Sequence, residues 1–220
     1  MHQQSSSLSR RRLLQVSATI GACALGPASL GAHTLTRSVT HPASAPNPGA
    51  PGGTSPIIAA ARAGLQRAGA RVSQMDVVAV ADFSQASSHP RFHLVDIAGG
   101  RITSMLVAHG RGSDPTHTGW LSRFSNAAGS DCTSEGDFIT AADYIGKHGR
   151  SIRLIGLDPT NDNALSRGIV VHSAPYVCPQ IVREHGVLGR SEGCFALCSA
   201  DLPQVLQKLG PGRLIVSAKV

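Results

Sequence analysis

The most informative segment of this 220-residue chain reads Gly189-Arg190-Ser191-Glu192-Gly193-Cys194. Upstream of it, His172 ends the apolar run 169–171. A thiol acts as a nucleophile when a nearby base takes its proton and backbone N–H groups stabilise the oxyanion that forms. A histidine at a strand end can be that base, and a glycine loop can aim N–H groups at one point because glycine tolerates positive φ. The segment predicts a cysteine–histidine site, although a buried, inert thiol is the simpler alternative for an isolated Gly-Cys pair.

The charge distribution argues against nucleic acid as a partner. The formal net charge is +7, but seven of the 20 basic residues precede Asp76 and no acidic residue does. From Asp76 onward the other 13 basic residues are balanced by 13 acidic residues. The part of the chain with a folding pattern is therefore neutral. It has no basic stripe with interleaved aromatic residues, and nucleic-acid binding is excluded on that ground.

Residues 1–32 have the pattern of an export signal. Arg10, Arg11 and Arg12 precede an apolar run of small residues, as in signals of the twin-arginine type. Glycines and a proline interrupt that run, so it does not predict a membrane span. The cleavage point stays open between residues 26–28 and 30–32, and Cys23 offers a lipid anchor as an alternative. We therefore expect an exported protein of the periplasm or cell envelope.

A linker and a single domain are predicted after the signal. Residues 33–56 are rich in Pro, Ala, Gly, Ser and Thr and cannot bury enough apolar surface to fold by themselves. The domain over residues 57–220 begins with a helix at 57–70, and a second helix is expected at 200–209. Apolar alternation and short apolar runs predict strands over residues 77–82, 91–96, 101–108, 138–140, 151–157, 168–172 and 213–220. Residues 111–137 lack periodicity and predict a long surface loop, a kind of segment that often carries function. The pattern is mainly β with a helix at each end.

Several blocks of the predicted domain, taken in order, resemble the catalytic domains of murein L,D-transpeptidases. These blocks are Val107-Ala108-His109-Gly110-Arg111-Gly112-Ser113, Phe124-Ser125-Asn126, Gly146-Lys147-His148-Gly149, Leu154-Ile155-Gly156-Leu157, Asn161-Asp162-Asn163-Ala164, Val170-Val171-His172, Tyr176-Val177 and the segment ending at Cys194. The resemblance runs from about Val77 to Val220. It implies a mainly β, sandwich-like catalytic fold with a few short helices, working in the cell envelope. Such a domain would need no cofactor and would use a cysteine thiolate to make or exchange peptide cross-links on peptidoglycan stem peptides.

This chain departs from the family pattern next to the cysteine. Glu192 stands where the related subgroup tends to have an aromatic residue, and Phe195 stands where it has proline. A carboxylate close to a thiol raises the thiol's pKa, so Glu192 is expected to slow thiolate formation. The wider group also carries an arginine shortly after the cysteine, which is absent here. Arg190 is then the nearest candidate to hold a substrate carboxylate.

The resemblance and the residue chemistry together assign roles at the site. Cys194 is the predicted nucleophile and His172 the predicted base, with a core histidine as the alternative for His172. A backbone carbonyl or a hydroxyl from Ser173 or Ser191 is expected to orient the imidazole. The N–H groups of Gly193 and Cys194 are the predicted oxyanion donors.

Four further residues are predicted to contact the substrate. Arg190 would bind a carboxylate, and Asn126 lies in the long loop that the family resemblance includes. His109 and Tyr176 are expected to line the cleft, with packing inside the domain as the equal alternative for both.

The remaining cysteines leave two questions open. In an oxidising envelope two of Cys132, Cys178 and Cys198 could form a disulfide, and the sequence does not choose among the three pairings. A metal site is disfavoured because the Cys194-x3-Cys198 spacing is looser than in zinc pairs and no second close pair exists. Its conceivable ligands would be His172, Cys178, His185, Cys194 and Cys198.

The predicted function is peptidoglycan acyl transfer of the L,D-transpeptidase type. Two alternatives share the sequence evidence. One is an L,D-carboxypeptidase or endopeptidase, in which water replaces the acceptor amine. The other is a non-catalytic wall-binding relative, an interpretation that Glu192 and Phe195 favour.

Overall fold

The computed structural model of the protein describes residues 55–220. The predicted export signal, the Cys23 anchor and all but the end of the predicted linker lie outside the described residues. The helices are α1 (Pro56–Ala68), α2 (Pro179–His185) and α3 (Leu202–Lys208). The strands are β1 (Val77–Asp82), β2 (Phe92–Asp96), β3 (Ile102–Met105), β4 (Val107–Ala108), β5 (Gly136–Gly146), β6 (Gly149–Gly156), β7 (Val170–Ser173), β8 (Phe195–Leu197) and β9 (Leu214–Ala218).

The nine strands form one sheet in the order β3-β2-β1-β9-β5-β6-β7-β8-β4. Its two outer strands, β3 and β4, belong to the same short piece of chain and are separated only by Leu106. β3 pairs with β2, whereas β4 pairs with β8 at the other end of the sheet. Because one segment supplies both edges, the sheet has to curve round until its ends meet. The result is a sheet folded over one core, which agrees with the predicted mainly β, sandwich-like class.

Aromatic side chains from distant strands meet in the interior enclosed by the sheet. Phe195 of β8 lies 5.6 Å from Phe138 of β5 and 6.2 Å from Phe83 between ring centroids. All three side chains are essentially inaccessible to solvent. Phe195, the residue that departs from the family's proline, therefore anchors the central core. Burial of one phenylalanine stabilises a fold by about 1.5–3 kcal/mol.

The three described helices pack against the sheet and its clusters of buried apolar residues. α1 packs its apolar side on β1 and β9, where Ala61 and Ala68 meet Val78 and Val216. α2 adjoins a separate cluster around Leu188 and Ala196, and α3 adds Val205 to the central core. Each helix carries a proline in its first turn, where a missing N–H costs nothing. None of the helices described is long and apolar enough to cross a membrane.

The structure corrects several predicted boundaries. The loop predicted at 111–137 contains a 3-10 turn at Arg111–Ser113, and β5 already begins at Gly136. β5 also extends far beyond the predicted residues 138–140, because its second half pairs with β6 in a hairpin that projects into solvent. That half has no buried face and so no apolar alternation to detect. The predicted strand 101–108 is split at Leu106, where the chain leaves β2 for β8.

Two short elements were not predicted. α2 has only seven residues and none of them is fully buried, so its periodicity is weak. β8 has three residues and is recognisable only through its neighbours, because it pairs in parallel with β7 and antiparallel with β4. β8 directly follows Cys194, and this placement positions the site.

Candidate active site

The parallel pair β7–β8 brings the predicted nucleophile and base to one face of the sheet. Val171 is opposite Phe195 and His172 is opposite Ala196. Extending this register by one residue places Cys194 opposite Val170. Residues opposite each other in the pair share a face, and side chains alternate between faces along each strand. Cys194 and His172 therefore lie on the same face of the sheet, whereas Val171 and Phe195 point into the core on the other face.

The imidazole of His172 is held in a defined tautomer. Its Nδ1 lies 2.9 Å from the backbone carbonyl oxygen of Ser173, which can only accept, so Nδ1 carries the proton and Nε2 keeps a free lone pair. The side chain is almost fully buried, and burial lowers the pKa of His172 despite this hydrogen bond. Electrostatic interactions with His148 and Lys147 lower that pKa further. His172 is therefore neutral near pH 7, the form in which it accepts a proton.

Cys194 is a buried thiol rather than an exposed thiolate. Its side chain is 9% exposed, and its Sγ donates to the carbonyl oxygen of Gly168 at 3.7 Å. Burial raises the pKa of the Cys194 thiol above its ordinary value. The backbone N–H of Val170 and the charges of Lys147 and Arg167 lower the pKa in part, whereas Glu192 adds to the increase. The resting site therefore pairs a neutral thiol with a neutral imidazole.

Hydrogen bonds fix the loop that carries the nucleophile. The hydroxyl of Ser191 donates to the carbonyl oxygen of Cys194 at 2.7 Å and accepts from the N–H of Gly193 at 3.2 Å. Ser191 also pairs through its backbone with His109 and Arg111 on the neighbouring loop. Ser191 thus closes the turn, while Ser173 is the serine in contact with His172.

Glycine is the one residue type that fits position 193. Its φ is +111°, a region that other residues rarely adopt. A Cβ added there would stand 2.5 Å from the carbonyl oxygen of Cys132 and 3.0 Å from Nη2 of Arg167. The backbone of the nucleophile loop therefore lies directly against the loop that contains Cys132.

A buried polar chain lies behind the nucleophile loop. Arg91 has no exposed surface and donates from Nη2 to Nδ1 of His109 at 2.7 Å. The proton of the neutral His109 ring is therefore on Nε2, which donates to Asp114 at 3.3 Å. Burial lowers the pKa of His109 to about 4 and that of Arg91 to about 9. Asp114 also accepts from the N–H groups of Thr118 and Gly119, and these bonds offset the effect of burial, so that its pKa lies below the ordinary value. This series of hydrogen-bonded side chains stabilises the 109–119 loop, which pairs with Ser191.

The predicted substrate-contact residues occupy different surroundings. His109 is 1% exposed with both ring nitrogens engaged, and Arg190 donates to the carbonyl oxygens of Asp114 and Pro115. Tyr176 adjoins the nucleophile loop, where its side chain lies against Gly189, and burial and then the charges of Cys194 and Glu192 raise its pKa. Asn126 binds the 159–163 turn through Pro159, Asp162 and Asn163. Tyr176 is thus the member of this group whose pKa responds to Cys194, and the substrate contacts of all four remain predictions.

Three neighbours of the site were not singled out from the sequence. His148, at the tip of the β5–β6 hairpin, stacks on His172, and Lys147 lies beside it. Arg167 donates to the loop that lines Gly193. The only sequence signal for His148 and Lys147 was the block 146–149, and Arg167 had none, because a single arginine in a turn has no pattern.

The described residues contain neither a disulfide nor a cluster of metal-ligating side chains. Cys132, Cys178, Cys194 and Cys198 are all free thiols. Between residues 55 and 220 no three His, Cys, Asp or Glu side chains cluster closely enough to hold a metal ion.

The fold and the site define a mainly β domain that presents a cysteine and a histidine from adjacent parallel strands. Residues 54–217 match the model of the L,D-transpeptidase catalytic domain family. The chain therefore belongs to that family, as its sequence blocks predicted.

Comparison with individual proteins gives only distant similarity. No curated protein matches the chain. An L,D-transpeptidase from Mycobacterium smegmatis is 18% identical, with 64% of this chain and 58% of that chain covered and a TM-score of 0.40. L,D-transpeptidase 3 from Mycobacterium tuberculosis, in complex with a faropenem-derived adduct, is 17% identical over 65% of this chain and 60% of that chain, with a TM-score of 0.42. An L,D-transpeptidase from Stackebrandtia nassauensis is 11% identical over 74% and 66%, with a TM-score of 0.39. The chain thus spans less than two thirds of the length of each of these structures.

Proposed function

We propose that this protein is a cysteine-dependent L,D-transpeptidase that acts on peptidoglycan stem peptides after export to the cell envelope. The observation that carries the proposal is the placement of Cys194 and His172 on one face of the β7–β8 pair, within a domain of this family. The predicted twin-arginine signal at residues 1–32 supports the location, since peptidoglycan lies outside the cytoplasmic membrane.

The reaction begins with proton transfer from the thiol to the imidazole. Nε2 of His172 accepts the proton of Cys194 as the sulfur attacks the carbonyl carbon between an L-centre and a D-residue of the stem peptide. Nδ1 stays bonded to the carbonyl oxygen of Ser173, which keeps the ring oriented as it becomes charged. The tetrahedral intermediate collapses when His172 returns the proton to the leaving amine. The D-residue departs, and a thioester on Cys194 remains.

The thioester is resolved by a second nucleophile. The amine of a neighbouring stem attacks the thioester carbonyl, His172 takes a proton from that amine, and the thiol leaves as the new amide forms. Backbone N–H groups at Gly193 and Cys194 are the proposed oxyanion donors. The N–H of Gly193 already donates to Ser191 at 3.2 Å, so the developing oxyanion has to compete with that long hydrogen bond.

Two observations favour a non-catalytic wall-binding relative as the second candidate. The pKa of the Cys194 thiol is raised by its burial, and Glu192 contributes a carboxylate in the same loop. Both reduce the fraction of thiolate at neutral pH. The hydrolytic variant, an L,D-carboxypeptidase or endopeptidase, uses the same residues and differs only in the acceptor.

Incubation of the purified protein with a carbapenem, followed by intact-mass measurement, tests the proposal. We expect one covalent adduct that is lost in Cys194→Ala and retained in Cys198→Ala, a matched control four residues away. Products from a tetrapeptide muropeptide then separate the acceptors, since cross-linked dimers require an amine and shortened stems require water. An adduct on Cys194→Ala, or exchange of D-amino acids by that variant, would refute the mechanism. A wild-type protein that forms no adduct but still binds peptidoglycan sacculi would be the wall-binding relative.

A further inference from the structure

Arg167 lies in the turn that leads into β7 and has no role in the mechanism above. Its backbone N–H donates to Asn163, and the carbonyl oxygen of the next residue, Gly168, accepts from Sγ of Cys194. The turn is therefore in direct contact with the nucleophile.

The guanidinium of Arg167 holds the loop on the other side of the site. Nη1 donates to the carbonyl oxygen of Ser125 at 3.0 Å and to the hydroxyl of Ser134 at 2.7 Å, and Nη2 donates to the carbonyl oxygen of Cys132 at 2.6 Å. All three acceptors are uncharged. The nearby carboxylate of Asp131 is engaged with Arg111, at 2.8 and 2.9 Å. The positive charge of Arg167 is thus not cancelled by a hydrogen-bonded carboxylate among the described residues.

The same guanidinium adjoins the backbone that precedes the nucleophile. Nη2 of Arg167 lies 3.0 Å from the position that a Cβ would occupy on Gly193, and the Cys132 carbonyl to which it donates lies closer still. Here the cation and the loop that it holds both contact the residue before Cys194.

The charged and titratable groups facing Cys194 come from several elements. His172 lies on the same face of the β7–β8 pair, and Lys147 projects from the β5–β6 hairpin. Glu192 belongs to the nucleophile loop, and Tyr176 lies beside that loop. Lys147 and Glu192 are exposed and therefore screened by water, whereas Arg167 is partly buried. Burial raises the pKa of the Cys194 thiol, and Glu192 adds to that increase. Lys147 and, to a smaller degree, Arg167 act against it.

We propose that Arg167 is a positioning residue that holds the 125–134 loop against Gly193, and that its charge, to which no carboxylate is hydrogen-bonded, favours the thiolate of Cys194 over the thiol. This inference rests on the proposed function only in taking the thiolate as the reactive form. Its two parts are separable, because lysine keeps the charge without the forked donor geometry and glutamine removes the charge.

The test is the pH dependence of Cys194 alkylation by iodoacetamide in the full chain. Alkylation requires a thiolate and no acyl transfer. Peptide fragmentation separates Cys194 from Cys198. We expect Arg167→Gln to move the midpoint of the profile to higher pH and to slow alkylation at pH 8 by about twofold. We expect Arg167→Lys to keep the midpoint near that of the wild type while lowering the urea midpoint of unfolding, and Arg183→Gln, on the surface of α2, to change neither.

An unchanged alkylation midpoint in Arg167→Gln would overturn the proposal, as would an equal shift in the lysine and glutamine variants. If the glutamine variant does not fold, the lysine variant alone decides, and an upward shift of its midpoint contradicts a role for the charge. The outcome is independent of the proposed function. A protein that forms no carbapenem adduct but shows the expected alkylation profiles would refute the transpeptidase mechanism and leave the role of Arg167 intact.

Discussion

The imidazole rings of His148 and His172 stack with their centroids 4.2 Å apart and their planes inclined by 23°. His148 is exposed at the tip of the β5–β6 hairpin, whereas His172 is buried on β7. The exposed ring therefore covers the buried one. It shields the proposed base from water and sets a second titratable group against it.

Replacing His148 by alanine is expected to reduce the fraction of His172 that is neutral at acidic pH. Removal of the ring hydrates His172 and deletes the electrostatic interaction with His148, and both changes raise the pKa of His172 from its lowered value. More His172 is then protonated at pH 6, so the acid limb of the carbapenem acylation profile moves to higher pH. We expect acylation to be about two- to fourfold slower at pH 6 and little changed at pH 8.5. His185→Ala, an exposed histidine on α2, is the control, and an acid limb that does not move would count against this role for His148.

Neutralising Glu192 is expected to speed acylation. The carboxylate raises the pKa of the Cys194 thiol, and its partner Arg111 lies 3.4 Å away and is shared with Asp131. Glu192→Gln should therefore increase the thiolate fraction and accelerate carbapenem acylation at pH 7 by about two- to threefold. Because Glu192 is 60% exposed, the gain should shrink when salt is added. Glu135→Gln, another exposed carboxylate, should leave the rate unchanged; equal rates for Glu192→Gln and the wild type would contradict the prediction.

Substitution at Gly193 is expected to damage both stability and activity. Alanine there has to adopt a positive φ and also clashes with the carbonyl oxygen of Cys132. Gly129 is a matched control, since its φ is +70° but nothing lies within 4 Å of its Cβ position. Backbone strain alone costs about 1–3 kcal/mol, so Gly129→Ala should lose that much and Gly193→Ala more. Urea unfolding measures the difference, and similar losses in the two variants would mean that the Cys132 contact is unimportant.

The ion pair between α1 and β5 is expected to be important for stability. Arg67 donates to both carboxylate oxygens of Asp137, at 2.8 and 2.9 Å, and Asp137 is fully buried. Arg67→Leu leaves that carboxylate without its charged partner, which should reduce the free energy of unfolding by about 1–3 kcal/mol. Asp96 pairs with Arg101 on the surface, and Arg101→Leu should cost less than about 1 kcal/mol. If the two leucine variants lose the same stability, burial of Asp137 has no energetic consequence.

Much of the fold could be predicted because several of its strands are continuous apolar segments between turn residues. β1 and β9 are almost wholly buried apolar runs, and β2 is bounded by glycines and a proline, so composition and turn residues were sufficient. β8 was missed because three residues hold no period, and the outer half of β5 was missed because its side chains face water. Both elements are stabilised by pairing with other strands, and a local sequence pattern does not predict such pairing.

Prediction of the site succeeded where residues lie close in sequence. Ser191, Gly193 and Cys194 share one turn, and His172 ends a strand whose apolar run is visible. His148 and Arg167 reach the site only through the hairpin and the turn before β7. Arg190 was expected to face a substrate carboxylate, and the structure places its guanidinium on the carbonyl oxygens of Asp114 and Pro115. Such long-range contacts depend on the three-dimensional path of the chain.

The short segment that supplies both outer strands also affects how the protein behaves at high concentration. Unpaired backbone groups along a long outer strand are a template for association with other chains. Here the outer strands are four and two residues long, and Leu106 divides them. The sheet thus offers little continuous backbone for a neighbouring molecule to extend, which should limit edge-to-edge association of copies of this protein.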